Sequence, residues 1–311
     1  MSSQLQSLLT QPLLLSLIWS IFALGVFVSF RILNIADMSV EGVFPFTAII
    51  TLYAIKSGIH PLLALLISIL VGFASGAVVG ILNRYLKIDA LLSGIIVMTA
   101  LFSLSVVLSN GNISLSDTTA TLFTPFENLF AKFMPLFWAN FCGDLLLLAI
   151  VGAILFVAIY YFFGTELGTA IRAAGKNAQL SRAEGLNVDL LTILGLAIAS
   201  SLIAIAASLY SMRSTVATQS LGKGTLVIGL ATIFLGEIAL PKMSFKAHLI
   251  SIFIGGYLYW LILSAIELIP GYNASYRYLI QAIFITVVMV IPTFQKNVKH
   301  QLALRKEKAN A

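Results

Sequence analysis

The feature that most restricts the fold of this chain is its succession of long apolar segments. Residues 13–30, 61–83 and 90–108 each approach the roughly 20 residues that an α-helix needs to cross the hydrocarbon core of a membrane. Further apolar segments cover residues 145–163, 190–210, 247–266 and 278–291. Since 59% of the residues are hydrophobic and 10% are charged, a soluble globular fold is excluded. The sequence predicts an all-α polytopic membrane protein whose residues 1–311 form one transmembrane domain.

Two polar stretches lead into short apolar runs and predict interrupted helices. Residues 34–42 precede a run that ends at residue 55, and residues 214–224 precede a run over 225–240. As a helix the second run rises only about 24 Å, which is less than the thickness of the hydrocarbon core. Polar backbone at such a depth must be buried in protein or line a wet cavity. With the longer segments, the two short runs give about nine transmembrane segments.

The two short runs and the segments after them also match each other. A shift of 183 positions places, for example, Ser68 and Gly72 on Ser251 and Gly255. Because the two runs would cross in opposite directions, the match fits an inverted repeat, whose broken helices flank a central substrate path. Coincidence between hydrophobic runs is the alternative. The residues predicted to line the path are Glu41, Gly42, Pro45, Ser220, Gly222, Gly229 and Glu237.

The two acids of that set also have plainer explanations. Glu41 suits the positive start of its own helix, and Glu237 can reach Lys242 near the membrane surface. Both acids can therefore line a path or simply satisfy local charge.

The distribution of basic residues predicts the orientation in a bacterial-type cell membrane. Lys and Arg concentrate in alternate loops, as the positive-inside rule requires of cytoplasmic loops. The N-terminus is therefore predicted outside and the C-terminus inside. This topology accounts for the net charge of +6, so lipid and not nucleic acid is the expected partner. The predicted inside residues are Arg31, Arg84, Lys87, Arg172, Lys176, Arg182, Lys242, Lys246 and those of a basic tail over residues 296–311.

Residue types that catalysis or a bound cofactor would need are sparse. Cys142 is the only cysteine, which excludes an internal disulfide, and the three histidines lack zinc-site spacing. The Lys-Ser/Thr ending of a nucleotide-binding loop is missing, since Gly222 and Lys223 are followed by Gly224. We expect no metal and no cofactor in this chain, so that any ATP and Mg must be bound by a partner.

The largest polar segment with helix-capping residues, residues 164–187, predicts two short amphipathic helices between two spans. Thr165 caps the first helix, Glu166 lies in its first turn, and Gly175 is predicted to close it in the left-handed conformation. Asn177 then opens a second helix that Gly185 closes. An ordinary basic loop is the alternative, but it would not require capping residues at both starts.

Residues of this segment and of two others carry a family resemblance. In the segment they are Ile171, Arg172, Ala173, Gly175, Asn177, Ala183, Gly185, Leu186 and Asn187. They resemble the coupling loop in permease subunits of ATP-binding-cassette importers of the branched-chain amino acid and ribose type. Residues 31–45 and 226–237 resemble the sub-branch of these permeases for aromatic amino acids, tryptophan or tyrosine. In that sub-branch we expect a Leu-Thr or Leu-Ser pair followed by an Asp. This chain departs from the pattern, because it has Met38 and Ser39 at the pair and Glu41 at the acid.

The resemblance implies a non-enzymatic permease subunit that moves a small solute, such as an amino acid, inward. It implies an ATPase subunit dimer, an extracellular substrate-binding lipoprotein and a second permease copy in a homodimer as partners. The coupling residues it implies are Glu166, Arg172, Ala173, Gly175, Asn177, Arg182 and Gly185. The alternative is an ion-coupled secondary transporter, which would need a titratable relay in mid-membrane. A membrane-embedded enzyme would need a cluster of catalytic groups.

Three basic residues are predicted on the outer side, where a binding protein would land. They are Lys56, Arg213 and Lys223. Exposed basic groups there can steer acidic residues of a partner, although ordinary solvated charge is an equal explanation.

Overall fold

The computed structural model describes residues 3–116, 119–240, 244–267, 279–288 and 290, which are almost entirely helical. The helices are α1 (Ser3–Phe27), α2 (Val40–Lys56), α3 (Pro61–Arg84), α4 (Ala90–Ser109), α5 (Thr124–Ala131), α6 (Leu136–Phe162), α7 (Glu166–Lys176), α8 (Ala178–Ala183), α9 (Val188–Ser214), α10 (Thr225–Ala239), α11 (Phe245–Glu267) and α12 (Leu279–Val288). A π-helical turn, Val28–Ile32, continues α1, and a 3-10 turn, Gln219–Gly222, precedes α10. Strands β1 (Asn112–Ser114) and β2 (Val216–Thr218) form one antiparallel pair.

Seven helical segments in the described ranges are long and apolar enough to cross a membrane. They are Thr10–Ile32, Pro61–Arg84, Ala90–Ser109, Leu136–Phe162, Val188–Ser214, Gln219–Ala239 and Phe245–Glu267. The chain is therefore an integral membrane protein. Nine complete crossings are not confirmed, because α2 has 17 residues and α12 is shorter still. The predicted last span extends past the described residues, and the predicted tail at 296–311 lies outside them.

Helices α1 and α9 form the centre of the bundle. In the spans that contain them, 78% and 72% of the apolar window is buried, compared with 22% in α6. Trp19 of α1 stacks on Phe44 of α2 with ring centroids 5.2 Å apart, and it also meets Tyr210 of α9 and Trp260 of α11. Aromatic packing therefore joins four helices at the middle of α1.

Helix α3 packs along α9 through glycines. A Cβ added to Gly72 or Gly80 would lie 2.7 Å from the Ser200 carbonyl oxygen or the Ile193 Cα. At Gly76, between them, an added Cβ would overlap the Leu196 carbonyl oxygen. Small residues let helix backbones approach closely where lipid supplies little hydrophobic drive for association. Gly72, Gly76 and Gly80 thus lie where the backbones of α3 and α9 are in contact.

The bundle has two end faces. The α7–α8 face holds α7 and α8 together with the ends of α1, α3 and α10 and the starts of α4, α9 and α11. The opposite end, the β1–β2 face, holds the strand pair, α5 and the ends of α2 and α9. Each functional residue can be placed relative to these two faces.

The α3–α9 contact gives a first prediction. Replacing Gly76 with Ala forces a methyl group into the Leu196 backbone, and such overpacking costs about 1–3 kcal/mol. We expect a clearly lower apparent melting temperature of the purified protein in detergent. Gly152→Ala in α6 is the control, because its added Cβ would meet Phe253 at an ordinary 3.6 Å. Equal melting temperatures for the two variants would contradict the tight contact.

Candidate functional site

The segment of residues 164–187 folds as its capping residues predict. The Thr165 hydroxyl accepts a hydrogen bond from the Gly168 N–H, and the Asn177 amide oxygen accepts one from the Leu180 N–H at 3.0 Å. Gly185 closes α8 with a φ of +83°, which a residue with a side chain adopts at a cost. Local side-chain hydrogen bonds therefore fix the start of both short helices.

The prediction that Gly175 closes α7 in the left-handed conformation is wrong. Gly175 lies inside α7, which continues to Lys176, and the described glycines with positive φ are Gly58, Gly111, Gly185 and Gly224. A Cβ on Gly175 would overlap the Ile32 carbonyl oxygen and lie 2.8 Å from the Leu33 Cα. Glycine is required because the backbone of α7 touches the end of α1.

Helix α7 is held firmly to the bundle on its inner side. Ile171 and Ala174 are buried, and the guanidinium of Arg172 lies 4.7 Å from the centroid of the Phe245 ring at the start of α11. That distance is within the range of a cation–π interaction. The contact engages Arg172 with the bundle, while its side chain stays exposed at the surface.

The outer side of the two short helices is exposed and partly apolar. Leu167 and Leu180 are 54% and 56% exposed. Glu166 is also exposed, and Arg182 forms an ion pair with Asp189 at the start of α9, with 2.9 Å between nitrogen and oxygen. The segment thus presents apolar and charged groups outward from a fixed base.

A cleft of about 990 Å³ opens on the same face between α7 and the ends of α1 and α10. Its walls include Ala173, Gly175 and the ion pair between Arg31 and Glu237. Arg31 also lies 5.1 Å from the Phe234 ring centroid. Glu237 therefore joins α10 to α1 near α7, while Lys242, the partner considered from the sequence, lies outside the described residues.

The starts of α2 and α10 meet in the middle of the bundle. A Cβ on Gly222 would overlap the Glu41 carbonyl oxygen and lie 2.9 Å from the Pro45 ring. The carboxylate of Glu41 lies by the backbone N–H groups of Gly224 and Leu226 at the start of α10. At the start of α2, the Asp37 carboxylate accepts one from the Ser39 N–H at 2.8 Å. A carboxylate thus lies at the start of each of the two helices, where lipid could satisfy no backbone donor.

The structure brings together only part of the predicted substrate path. Glu41, Pro45 and Gly222 are in contact, and Ser220 is exposed one turn away. Gly42 faces Met98 of α4, and Gly229 faces Phe22 and Val26 of α1 at 2.8 Å, so both glycines provide close helix packing. Glu237 lies at the α7–α8 face and is separate from the other acid, Glu41.

The three predicted docking residues have different environments. Lys56 is exposed at the end of α2, on the β1–β2 face. Arg213 donates to the Asp144 carboxylate at 2.9 Å and to the Gln11 side chain at 3.0 Å, so its charge is engaged within the chain. Lys223 is exposed, but it lies at the break before α10.

The partners of Arg213 were missed in the sequence. Asp144 belongs to α6 and is 7% exposed. Burial raises the pKa of Glu127 in α5, and the neighbouring Asp144 carboxylate raises it further. The sequence offered one signal for this ion pair. Asp144 stands beside the apolar run over residues 145–163, and Arg213 follows the run over residues 190–210.

Comparison with known proteins decides which class of membrane protein this is. Residues 8–289 match the family model of the branched-chain amino acid transport system permease component. The chain belongs to this permease family. It is 34% identical over 248 residues to the tyrosine transport system permease protein of Clostridioides difficile (strain R20291), and the match covers 78% of each chain.

More distant relatives of this permease include proteins named for a sugar. It is 24% identical over 258 residues to the ribose import permease protein RbsC of Escherichia coli (strain K12), which covers 82% of this chain and 76% of that protein. No solved structure matches the chain significantly. The chain is thus a permease component of a transport system and not itself an enzyme.

The contact of Gly175 gives a second prediction. Gly175→Val should push α7 away from Ile32, and an overpacking cost of about 1–3 kcal/mol raises local opening by roughly fivefold to a hundredfold. Trypsin should therefore cut the variant faster at Arg172 and Lys176, as followed by mass spectrometry. Gln179→Val, which places the same side chain on exposed surface, should be cut at the wild-type rate. Equal rates for all three proteins would contradict the packing role.

Proposed function

We propose that this permease is the membrane subunit of an ATP-binding-cassette importer. It moves an amino acid such as tyrosine or tryptophan inward while ATP is hydrolysed, with Mg, on a separate dimer of ATPase subunits. The segment of residues 164–187 carries this proposal, because it combines a fixed inner side with an exposed outer side. Such a surface suits a groove on a soluble motor, with Leu167 and Leu180 as apolar anchors.

The coupling residues support a route from the motor into the bundle. Ala173 and Gly175 face the cleft at the end of α1, while Glu166 and Arg182 face outward. Arg172 joins the segment to α11. Asn177 and Gly185 fix the start of α8 and the turn after it. A push on α7 would thus reach α1 and, through the Arg31–Glu237 ion pair, α10.

Charge supports an orientation with the α7–α8 face in the cytoplasm and the N-terminus outside. That face carries Arg31, Arg84, Lys87, Arg172, Lys176, Arg182 and Lys246, whereas the opposite face carries Lys56, Lys132 and Arg213. The positive-inside rule assigns the first group to the cytoplasm. The β1–β2 face is then where a substrate-binding lipoprotein docks.

The preference for an amino acid substrate rests on relatives. The tyrosine permease relative is 34% identical, compared with 24% for the ribose permease relative. An aromatic amino acid is accordingly the first solute to test, and ribose is the second.

A reconstituted system tests coupling. Liposomes that contain this permease with its ATPase and loaded binding protein should take up the amino acid and hydrolyse ATP faster than without substrate. Gly175→Val should insert and bind the loaded protein but lose most of that stimulation, because α7 no longer sits on Ile32. Gln179→Val should behave as the wild type. Uptake driven by an ion gradient without ATPase would show a secondary transporter instead.

Subunit composition is tested on the same complex. Each chain offers one segment of residues 164–187, and a two-fold ATPase dimer needs two, so we expect a permease homodimer. Native mass spectrometry should find two permease and two ATPase chains. A single permease chain per ATPase dimer would contradict this composition.

Lys56 tests docking on the β1–β2 face. Lys56→Glu should slow uptake at limiting binding protein by about twofold to tenfold at low salt, with a smaller effect at high salt. Lys56→Arg, which keeps the charge, should act as the wild type. We leave Arg213 intact, because its replacement would strand the buried Asp144 carboxylate. Uptake by Lys56→Glu that equals the wild type at low salt would contradict docking there.

A further inference from the structure

Lys223 lies at the middle depth of the bundle. It joins the 3-10 turn to α10, and the preceding Gly222 touches Glu41 and Pro45 at the start of α2. One residue before Pro45, Phe44 stacks on Trp19. Trp19 is about 14 Å of helical rise from Thr10, where the first span begins. A lysine at this position is far from both membrane surfaces.

Lys223 is not held in an ion pair at that depth within the described part of the chain. Its side chain is exposed, and no acidic residue in the described part of the chain forms an ion pair with it. Glu41, whose backbone Gly222 touches, forms no ion pair with Lys223. A lysine facing lipid at mid-depth is costly, and ionisable groups there normally face a bundle interior or a water-filled path.

The backbone next to Lys223 borders open space. Gly222 packs inward, whereas Ser220 is exposed and the position of a Cβ on Gly224 has no atom within 4 Å. An exposed hydroxyl on one side of Lys223 and open space on the other thus lie at the break in helical structure. Lipid could satisfy neither the charge nor the open backbone.

We propose that Lys223 faces the water-filled transport path and binds the carboxylate of the transported amino acid. In the proposed homodimer the two copies would each contribute one Lys223 to the path. The inference rests on the proposed function and adds a solute-binding residue to it. A cation suits this task, because hydrogen bonds between ammonium and carboxylate are stronger than those between neutral groups.

Chemical labelling tests the location without requiring transport. Ser220→Cys is made in a Cys142→Ala background, so that the chain has one thiol. An anionic and a cationic methanethiosulfonate reagent are compared on the homodimer in liposomes. Both should react, and the ratio of anionic to cationic rates should fall several-fold when Lys223→Gln is added. Lys56→Gln on the β1–β2 face should leave the ratio unchanged.

A cysteine at Ile154 supplies the matched control for labelling. Ile154 is 61% exposed in α6, which packs on α1, α5 and α11. We expect it to face lipid and to resist both reagents. The proposal is wrong if the thiol at position 220 is as unreactive as the one at position 154. It is also wrong if the ratio of anionic to cationic labelling rates is unchanged by Lys223→Gln.

Transport then tests the carboxylate. For tyrosine uptake by the complete complex, Lys223→Gln should lower kcat/KM by about tenfold or more, and Lys223→Arg should retain most of it. The melting temperature should stay at the wild-type value, because the side chain is exposed. Wild-type uptake by Lys223→Gln would overturn carboxylate binding even if labelling places the residue in the path. If the wild-type complex transports no amino acid, both the proposed function and carboxylate binding are wrong. The labelling ratio would still show whether Lys223 faces a water-filled path.

Discussion

The contact of the 3-10 turn before α10 with the start of α2, where Gly222 touches the Glu41 backbone and Pro45, is the constraint on which the interrupted part of the bundle depends. A helix that begins at mid-depth leaves its first N–H groups without acceptors, and lipid supplies none. The Glu41 carboxylate lies by the N–H groups of Gly224 and Leu226, and the Asp37 carboxylate accepts a hydrogen bond from the Ser39 N–H at the start of α2. Each of the two helices therefore begins beside an acid. Asp37 precedes α2, and Glu41 lies in the first turn of α2, beside the start of α10. The stretch before α2 can be polar because Asp37 and Ser39 are almost completely buried in protein.

Glycine supports the same architecture at several depths. Gly222 lets the 3-10 turn reach the start of α2, Gly76 lets α3 reach α9, and Gly175 lets α7 reach the end of α1. In each case a methyl group would meet a carbonyl oxygen, which cannot rotate away as a flexible side chain can. Where lipid is as apolar as the side chains, close packing supplies much of the association energy. These glycines are therefore fixed by contact and not by backbone conformation.

Local signals in the sequence predicted the fold better than the site. Helix starts at Thr165, Asn177 and Asn187 were predictable, because a cap bonds to an N–H only three residues away. The packing role of Gly175 was not predictable, since a missing Cβ permits both a left-handed turn and a close approach of two backbones. Arg31 and Glu237 are 206 residues apart, and such a pair depends on how the helices assemble. The inverted repeat stays a prediction, as do the coupling role of the segment and the inward direction.

The stretch from Arg31 to Glu41 holds both ends of α10. Arg31 pairs with Glu237 in the last turn of that helix, and Glu41 contacts Gly222 just before the first turn. Helix α10 has 15 residues, a length of about 22 Å, and it contains no proline at which it would bend. Gly175 of α7 contacts Ile32 and Leu33, so in the proposed importer a displacement of α7 would act on the stretch that contacts both ends of α10. Such a movement would also involve α1 and α9, because Leu33 packs on Gly195 of α9 and Gly229 of α10 packs on Phe22 of α1.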